Sequence, residues 1–175
     1  REVAALAAIL PDTAQVLEVG CGRAFNLAYL AETYLAETFP ALRFHGIDYS
    51  PSHVKAAQRA LAPLPNAVAE FGDFHGLTQL ADAAFPLIVA VETLGHAQDF
   101  APVLAELNRV LAPGGTLIIF DGFRHPGAID GPALARAVDY TERTMAVPRF
   151  AVLGDFLCLA AAAGFSVQAC QDRSA

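Results

Sequence analysis

The stretch Val16-Leu-Glu-Val-Gly-Cys-Gly-Arg-Ala24 brings an acid, a thiol and two glycines close together. Val16 to Val19 is mostly apolar and β-branched, Gly20-Cys21-Gly22 turns sharply, and a helical pattern starts at Phe25. A strand, a glycine turn and a helix start make a crevice for a nucleotide-bearing ligand, because only glycine lets backbone approach a ligand closely. Two further acids close later apolar runs. Asp48 can accept both hydroxyl hydrogens of a ribose, or it can cap the helix that follows, with Ser50 and Ser52 nearby. Asp73, in Gly72-Asp73-Phe74, can accept from an exocyclic amine of adenine while the Phe74 N–H meets a ring nitrogen. Its structural alternative is a turn carboxylate bonded to its own backbone, and Phe74 can equally be core. His96, four residues past Glu92, is the best base candidate because imidazole titrates near neutral pH; a structural loop histidine competes with that reading. His75 and His125 are weaker candidates at strand ends, whereas His45 and His53 read as a strand-face and a helix-surface residue.

The elements that must position these residues alternate regularly. Residues 2–10 read as a helix ended by Pro11-Asp12, 16–19 as a first strand, and 25–38 as a helix ended by Pro40. A second strand, 42–47, ends at Asp48, and a helix begins at Ser50-Pro51 and runs to about Ala62. Ala67 to Phe71 is a third strand. Leu87 to Val91 is a fourth, apolar throughout, as in a parallel sheet covered on both faces. Residues 99–111 repeat apolar positions with helical spacing, Pro113-Gly114-Gly115 turns, and Thr116 to Phe120 is a fifth strand. The irregular region 121–156, with a helix at 132–145, is expected to cap the crevice on the substrate side. A helix over 152–163, a stop at Gly164 and a sixth strand, Phe165 to Cys170, complete the chain. This alternation implies an α/β fold, a doubly wound, mostly parallel sheet, in one domain spanning 1–175.

Charge and composition narrow the partners. Lys and Arg number 11 against 18 Asp and Glu, a net charge of −7 without any basic run, which argues against nucleic acid. Hydrophobic residues make up 55% of the 175 but form no run long enough to span a bilayer, and no signal peptide is visible. Cys21, Cys158 and Cys170 have no metal-like spacing, so no metal site is expected and a reducing, cytoplasmic location fits best. The chain starts with Arg, so further residues are expected upstream.

In order and spacing, Glu18-x-Gly20-x-Gly22, Asp48, Gly72-Asp73-Phe74, Val91-Glu-Thr-Leu-Gly-His96 and Arg109-Val-Leu-Ala-Pro-Gly-Gly115 resemble the class I S-adenosylmethionine methyltransferases. The chain departs from that pattern at Ala24, where the family usually carries a third glycine. The resemblance implies a Rossmann-like fold with S-adenosylmethionine as cofactor. It would be held by Glu18, Gly20, Cys21, Gly22, Asp48, Tyr49, Asp73, Phe74 and Glu92, with His96 as the catalytic base. Cys21 reads as a small apolar filler rather than a nucleophile. The family normally adds a seventh, antiparallel strand; nothing after Ala175 supplies it, so the chain is expected to be truncated at both ends. Val91-Glu-Thr-Leu replaces the Asn/Asp-Pro-Pro-Tyr segment of enzymes that methylate DNA bases or protein glutamine. The implied acceptor is therefore a small, apolar or aromatic molecule methylated on oxygen or carbon. Phe100, Phe123, Met145, Phe150 and Phe156 could line its pocket, although most are more cheaply explained as core. Two other readings stay open: a non-catalytic module that binds S-adenosylmethionine or a partner protein, and a nicotinamide-dependent oxidoreductase. The second fits poorly, with Phe25 where its third glycine belongs.

Overall fold

The computed structural model describes residues 14–35, 42–124, 127 and 131–173. Five strands, β1 (Gln15–Val19), β2 (Arg43–Asp48), β3 (Ala67–Phe71), β4 (Phe85–Val91) and β5 (Leu111–Phe120), form one parallel sheet in the order β3-β2-β1-β4-β5. Helices α1 (Phe25–Leu35), α2 (Pro51–Leu61), α3 (Phe100–Val110), α4 (Gly131–Thr144) and α5 (Leu153–Ala162) connect or follow the strands. From β1 the chain winds outward to β3, then returns to place β4 on β1's other side. That reversal leaves a crevice between the C-terminal ends of β1 and β4, where open α/β sheets bind ligands.

Period-2 alternation divides the buried side chains of the sheet between two cores. Leu17, Val19, Ile88 and Ala90 pack under Val103, Leu104 and Leu107 of α3 and Phe156 of α5. Val16, Phe44, Leu87 and Val89 pack on the other face with Leu27 of α1 and Ala57 and Leu61 of α2. Helix starts follow the sequence cues. Ser50 Oγ accepts the His53 N–H with Pro51 in the first turn, and Asp99 Oδ1 accepts the Ala101 N–H at 3.0 Å. Arg109, in the family-like turn, proves structural: it donates to Leu77 O at 2.8 Å and Leu80 O at 3.1 Å and pairs with Glu106 and Asp82. The β3–β4 connection is thereby fastened to α3.

Two elements differ from expectation. β5 begins at Leu111 rather than Thr116, because Phe85 pairs with Leu111 before a register shift brings Leu87 opposite Thr116. Pro113-Gly114-Gly115 is accommodated inside that irregularity, with Gly114 at φ +75. The expected sixth strand, Phe165 to Cys170, is not a strand. Its apolar alternation reads as a strand, but a strand is stable only against partner backbone, and none of the described ladders includes it. What closes α5 instead is a left-handed Gly164 at φ +95, with the Phe165 N–H bonded to Ala160 O at 3.0 Å. The expected helix over 2–10, the end of the 25–38 helix and His125 lie outside the described residues. No helix among the described residues is long and apolar enough to cross a membrane.

Candidate functional site

The glycine turn is fixed from below and from both sides. Cys21 donates its N–H to Ile47 O at 2.9 Å, and its side chain lies over Gly46 of β2, where an added Cβ would meet the sulfur at 2.8 Å. Gly20, at φ +67, is covered by the loop beyond β4: a Cβ there would sit 1.8 Å from Thr93 Oγ1. Gly22, at φ +56, has nothing within 4 Å of its Cβ position. The two glycines therefore serve different ends, Gly20 for packing and Gly22 beside open space. Ala24 occupies a third left-handed position, φ +64, fully buried, with its N–H on Cys21 O at 2.8 Å. An alanine in that conformation costs about 1–2 kcal/mol that glycine would not.

Asp48 ties the turn to the end of β2. Its Oδ2 accepts the Gly22 N–H and its Oδ1 the Ser50 N–H, each at 2.8 Å, and the His53 ring stands 3.4 Å away. Each oxygen keeps a second lone pair. Glu18 is buried on β1, 3% exposed; Oε1 accepts from Asn26 Nδ2 at 3.0 Å, while Oε2 is buried without a partner among the described residues. Burial pushes its carboxyl up to about 7, against the opposing hydrogen bonds from Asn26 and the Leu27 backbone. The Cys21 thiol is pushed up to about 12 by burial, with the Glu18 and Asp48 carboxylates adding to the effect. It is inert.

At the end of β3, Asp73 forms the turn its structural alternative requires. Its Oδ1 accepts both the His75 N–H at 2.9 Å and the His75 ring Nδ1 at 2.7 Å. Burial works to raise its carboxyl, but the His75 backbone, ring hydrogen bond and charge together hold it below the ordinary carboxylate range. Phe74 is half-buried against the core and stacks on the His75 ring at 4.8 Å. Tyr49, exposed, lies 5.7 Å from the Phe71 ring.

Across the crevice, Glu92 holds φ +48, an uncommon backbone for a residue with a side chain, fastened by its N–H to Phe120 O at 2.8 Å. The 3-10 turn Leu94–His96 follows. His96 Nδ1 lies 3.2 Å from the Ala146 carbonyl. A carbonyl only accepts, so Nδ1 donates the hydrogen, and in the neutral form of the ring the lone pair lies on Nε2. Asp121, at the end of β5, accepts the Gly95 N–H at 3.2 Å and the Gly122 N–H at 2.8 Å, and so fixes the loop that carries His96. A cavity of about 230 Å³ lies here among Glu92, His96, Asp121, Met145, Val147 and Phe150. The last three come from the chain after α4, a helix with no buried residue, anchored where Glu142 accepts the Phe150 and Val147 N–H groups at 2.9 Å.

A sequence model of the methyltransferase domain matches residues 17–119. The chain belongs to the class I S-adenosylmethionine-dependent methyltransferases. This methyltransferase-family chain is 37% identical over 153 residues, 86% of its length, to a 37.1 kDa protein of transposon TN4556 from Streptomyces fradiae. It is 32% identical over 155 residues, 87% of its length, to the O-methyltransferase cnsE of Penicillium expansum. It spans only 43% and 52% of those relatives' own lengths. Geranyl diphosphate C-methyltransferase from Streptomyces coelicolor A3(2) superposes with a TM-score of 0.77 over 92% of this chain and 58% of that one. At 14% identity, that likeness is one of fold.

Of the residues singled out in sequence, the fold brings Glu18, Gly20, Cys21, Gly22 and Asp48 together at the glycine turn, with Asp73, Phe74 and Tyr49 at the neighbouring strand ends. Glu92 and His96 line the cavity across the crevice. Phe100 and Phe123 pack against the core and Phe156 belongs to it, whereas Phe150 and Met145 line the cavity. His45 lies on β2, its Nε2 3.0 Å from Glu70 Oε1, and His53 is half-exposed, as read. Three residues escaped the sequence reading: Gly46, Thr93 and Asp121. Asp121 had a signal available, since it is a carboxylate closing the apolar run Leu117-Ile-Ile-Phe120.

Proposed function

We propose that this protein transfers a methyl group from S-adenosylmethionine to an oxygen or carbon of a small, apolar or aromatic molecule. What carries the reading is the pairing of an orphaned carboxylate oxygen, Glu18 Oε2, with the uncovered Gly22 at the same strand end. A cationic amino group there would satisfy a carboxylate that folding leaves unpartnered. Asp48 uses its remaining lone pairs for the ribose hydroxyls, and Asp73 keeps Oδ2 for the adenine amine, with Phe74 and Tyr49 beside the ring. When bound, S-adenosylmethionine supplies an electrophilic methyl group on its own leaving sulfur, so the protein has mainly to align, dehydrate and deprotonate. Glu92 and His96 face the acceptor side, and His96 Nε2 takes the proton from the attacking group. The O-methyltransferase relative supports methyl transfer to a small molecule, and the net charge of −7 supports excluding polyanions. A cytoplasmic location accompanies this reading.

Calorimetry with S-adenosylhomocysteine and NAD tests it directly. S-adenosylhomocysteine is expected to bind and NAD not. Asp48→Ala removes both the ribose acceptor and the partner of two backbone N–H groups, so affinity should fall about a hundredfold and stability by about 2 kcal/mol. If the wild-type chain does not bind S-adenosylhomocysteine, the reading is wrong.

A further inference from the structure

Next to the His96 cavity, and sharing Phe150 with it, lies a second cavity of about 280 Å³. Phe156, Phe100 and Leu159 form an apolar side; Phe100 meets Phe156 edge-on at 5.3 Å. Two arginines, Arg124 and Arg149, line the same space. Acids outnumber cations 18 to 11 in the whole chain, so two cations in one apolar-walled hollow call for a reason.

Arg124 is held in place for a ligand. Its backbone bridges Val152 in parallel, its N–H meeting Ala151 O at 2.8 Å and its carbonyl accepting the Leu153 N–H at 3.1 Å. Its Nε donates to Phe150 O at 3.0 Å. Backbone and Nε thus fix the side chain, while among the described residues no carboxylate pairs with its two terminal nitrogens. Arg149, exposed, has no ion pair among the described residues either. Among the described residues, Asp155 is the one carboxylate lining the cavity, and no ion pair joins it to either arginine. A guanidinium oriented in advance and, among the described residues, left without a carboxylate is the usual means of recognising a planar or tetrahedral oxyanion.

We propose that this cavity holds the anionic end, a carboxylate or phosphate monoester, of the methyl acceptor. Arg124 is the fixed fork and Arg149 the second cation. The apolar body of the acceptor lies against Phe100 and Phe156 and passes Phe150 toward His96. The term acceptor rests on the methyl-transfer reading; the anion site does not.

The test uses the whole chain and three probes: 3-phenylpropionate, phenyl phosphate and the uncharged 3-phenylpropionamide, titrated by calorimetry or ligand-observed NMR. At least one anion should bind tenfold or more tightly than the amide, and whichever anion binds tighter names the group. Arg124→Gln should cost tenfold or more in that affinity and Arg124→Lys less, because lysine keeps charge but not the fork. Arg149→Gln, at an exposed position where folding is not at stake, should cost a few-fold. S-adenosylhomocysteine affinity should stay within twofold in all three variants. Equal binding of acid and amide, no binding of any probe, or anion affinity unmoved by both glutamine variants overturns the proposal. Arginine-dependent anion binding in a chain that ignores S-adenosylhomocysteine would instead overturn the methyl-transfer reading and leave this site standing.

Discussion

The two sides of the crevice are built differently. On the β1–β2 side, ligand groups would meet main chain and short acids at the ends of buried strands: Val19, Cys21, Ala24 and Ile47 are all in the core. On the β4–β5 side, the walls are long side chains: Arg124 just beyond β5, and Met145, Arg149 and Phe150 on chain that follows a helix with no buried residue. An unchanging ligand can be met by backbone, which sequence divergence cannot easily alter. A ligand that varies among relatives is better met by side chains on weakly packed segments, which can be exchanged without unfolding the sheet.

Substitutions on the first side should therefore damage folding and binding together. The largest effect is expected for Gly20→Ala, which drives a methyl into Thr93 at a backbone angle of +67. A loss of about 2–4 kcal/mol and of S-adenosylhomocysteine binding should follow, seen in thermal unfolding and calorimetry. Retained stability would show that the β4 loop yields easily and the contrast is overdrawn.

Glu18 gives the next effect, through pH. Below about pH 4.5 the carboxyl is protonated in both folded and unfolded chains; between there and about 7 only the folded chain keeps the proton. Stability of the unliganded protein should therefore fall by about 3 kcal/mol as pH rises across that window, then level off. Glu18→Gln should remove that slope in denaturant titrations. A cationic ligand group favours the ionised form, so S-adenosylhomocysteine binding near pH 6 should release a proton, measurable as a buffer-dependent heat and absent in the variant. No buffer dependence would detach Glu18 from the ligand.

On the second side, His96→Ala should slow methyl transfer on the order of a hundredfold while leaving stability and S-adenosylhomocysteine affinity alone. Undiminished turnover would make His96 a loop residue only. The smallest effect is expected at Ala24→Gly. Relief of the left-handed strain is offset by the lost methyl and the freer unfolded chain, so the net change should stay within about 1 kcal/mol. A larger shift in either direction, read from the unfolding midpoint, would mean that the turn adjusts to its third residue.

The same asymmetry decided what could be read in advance. Strands one to four, and the helices whose starts and spacing the chain announces, follow local rules: apolar runs, Ser50-Pro51 at a helix start, Asp99 at another. The place of Glu18 and Asp48 beside the glycine turn was legible because one lies within the strand that feeds the turn and the other closes the strand next to it. Phe165 to Cys170 was misread because alternation is local but strand pairing is not. The role of Asp121 depends on Gly95, twenty-six positions away, and Arg124 is oriented by Phe150, likewise twenty-six positions off. No spacing rule reaches across such a gap. The ring of His96 could be nominated from its position, but its proton arrangement needed the carbonyl of Ala146.

The seat of Cys21 on the bare Cα of Gly46 carries a lesson for divergence. With the sulfur 2.8 Å and Leu27 Cδ2 3.0 Å from where a methyl would stand, position 46 cannot enlarge by itself: a side chain there demands a smaller residue at 21 and a shift of Leu27. Homologues with a side chain at 46 should carry a smaller residue at 21, whereas 21 can shrink alone, so a designer wishing to remove the thiol should begin with glycine, alanine or serine at 21 and leave 46 untouched.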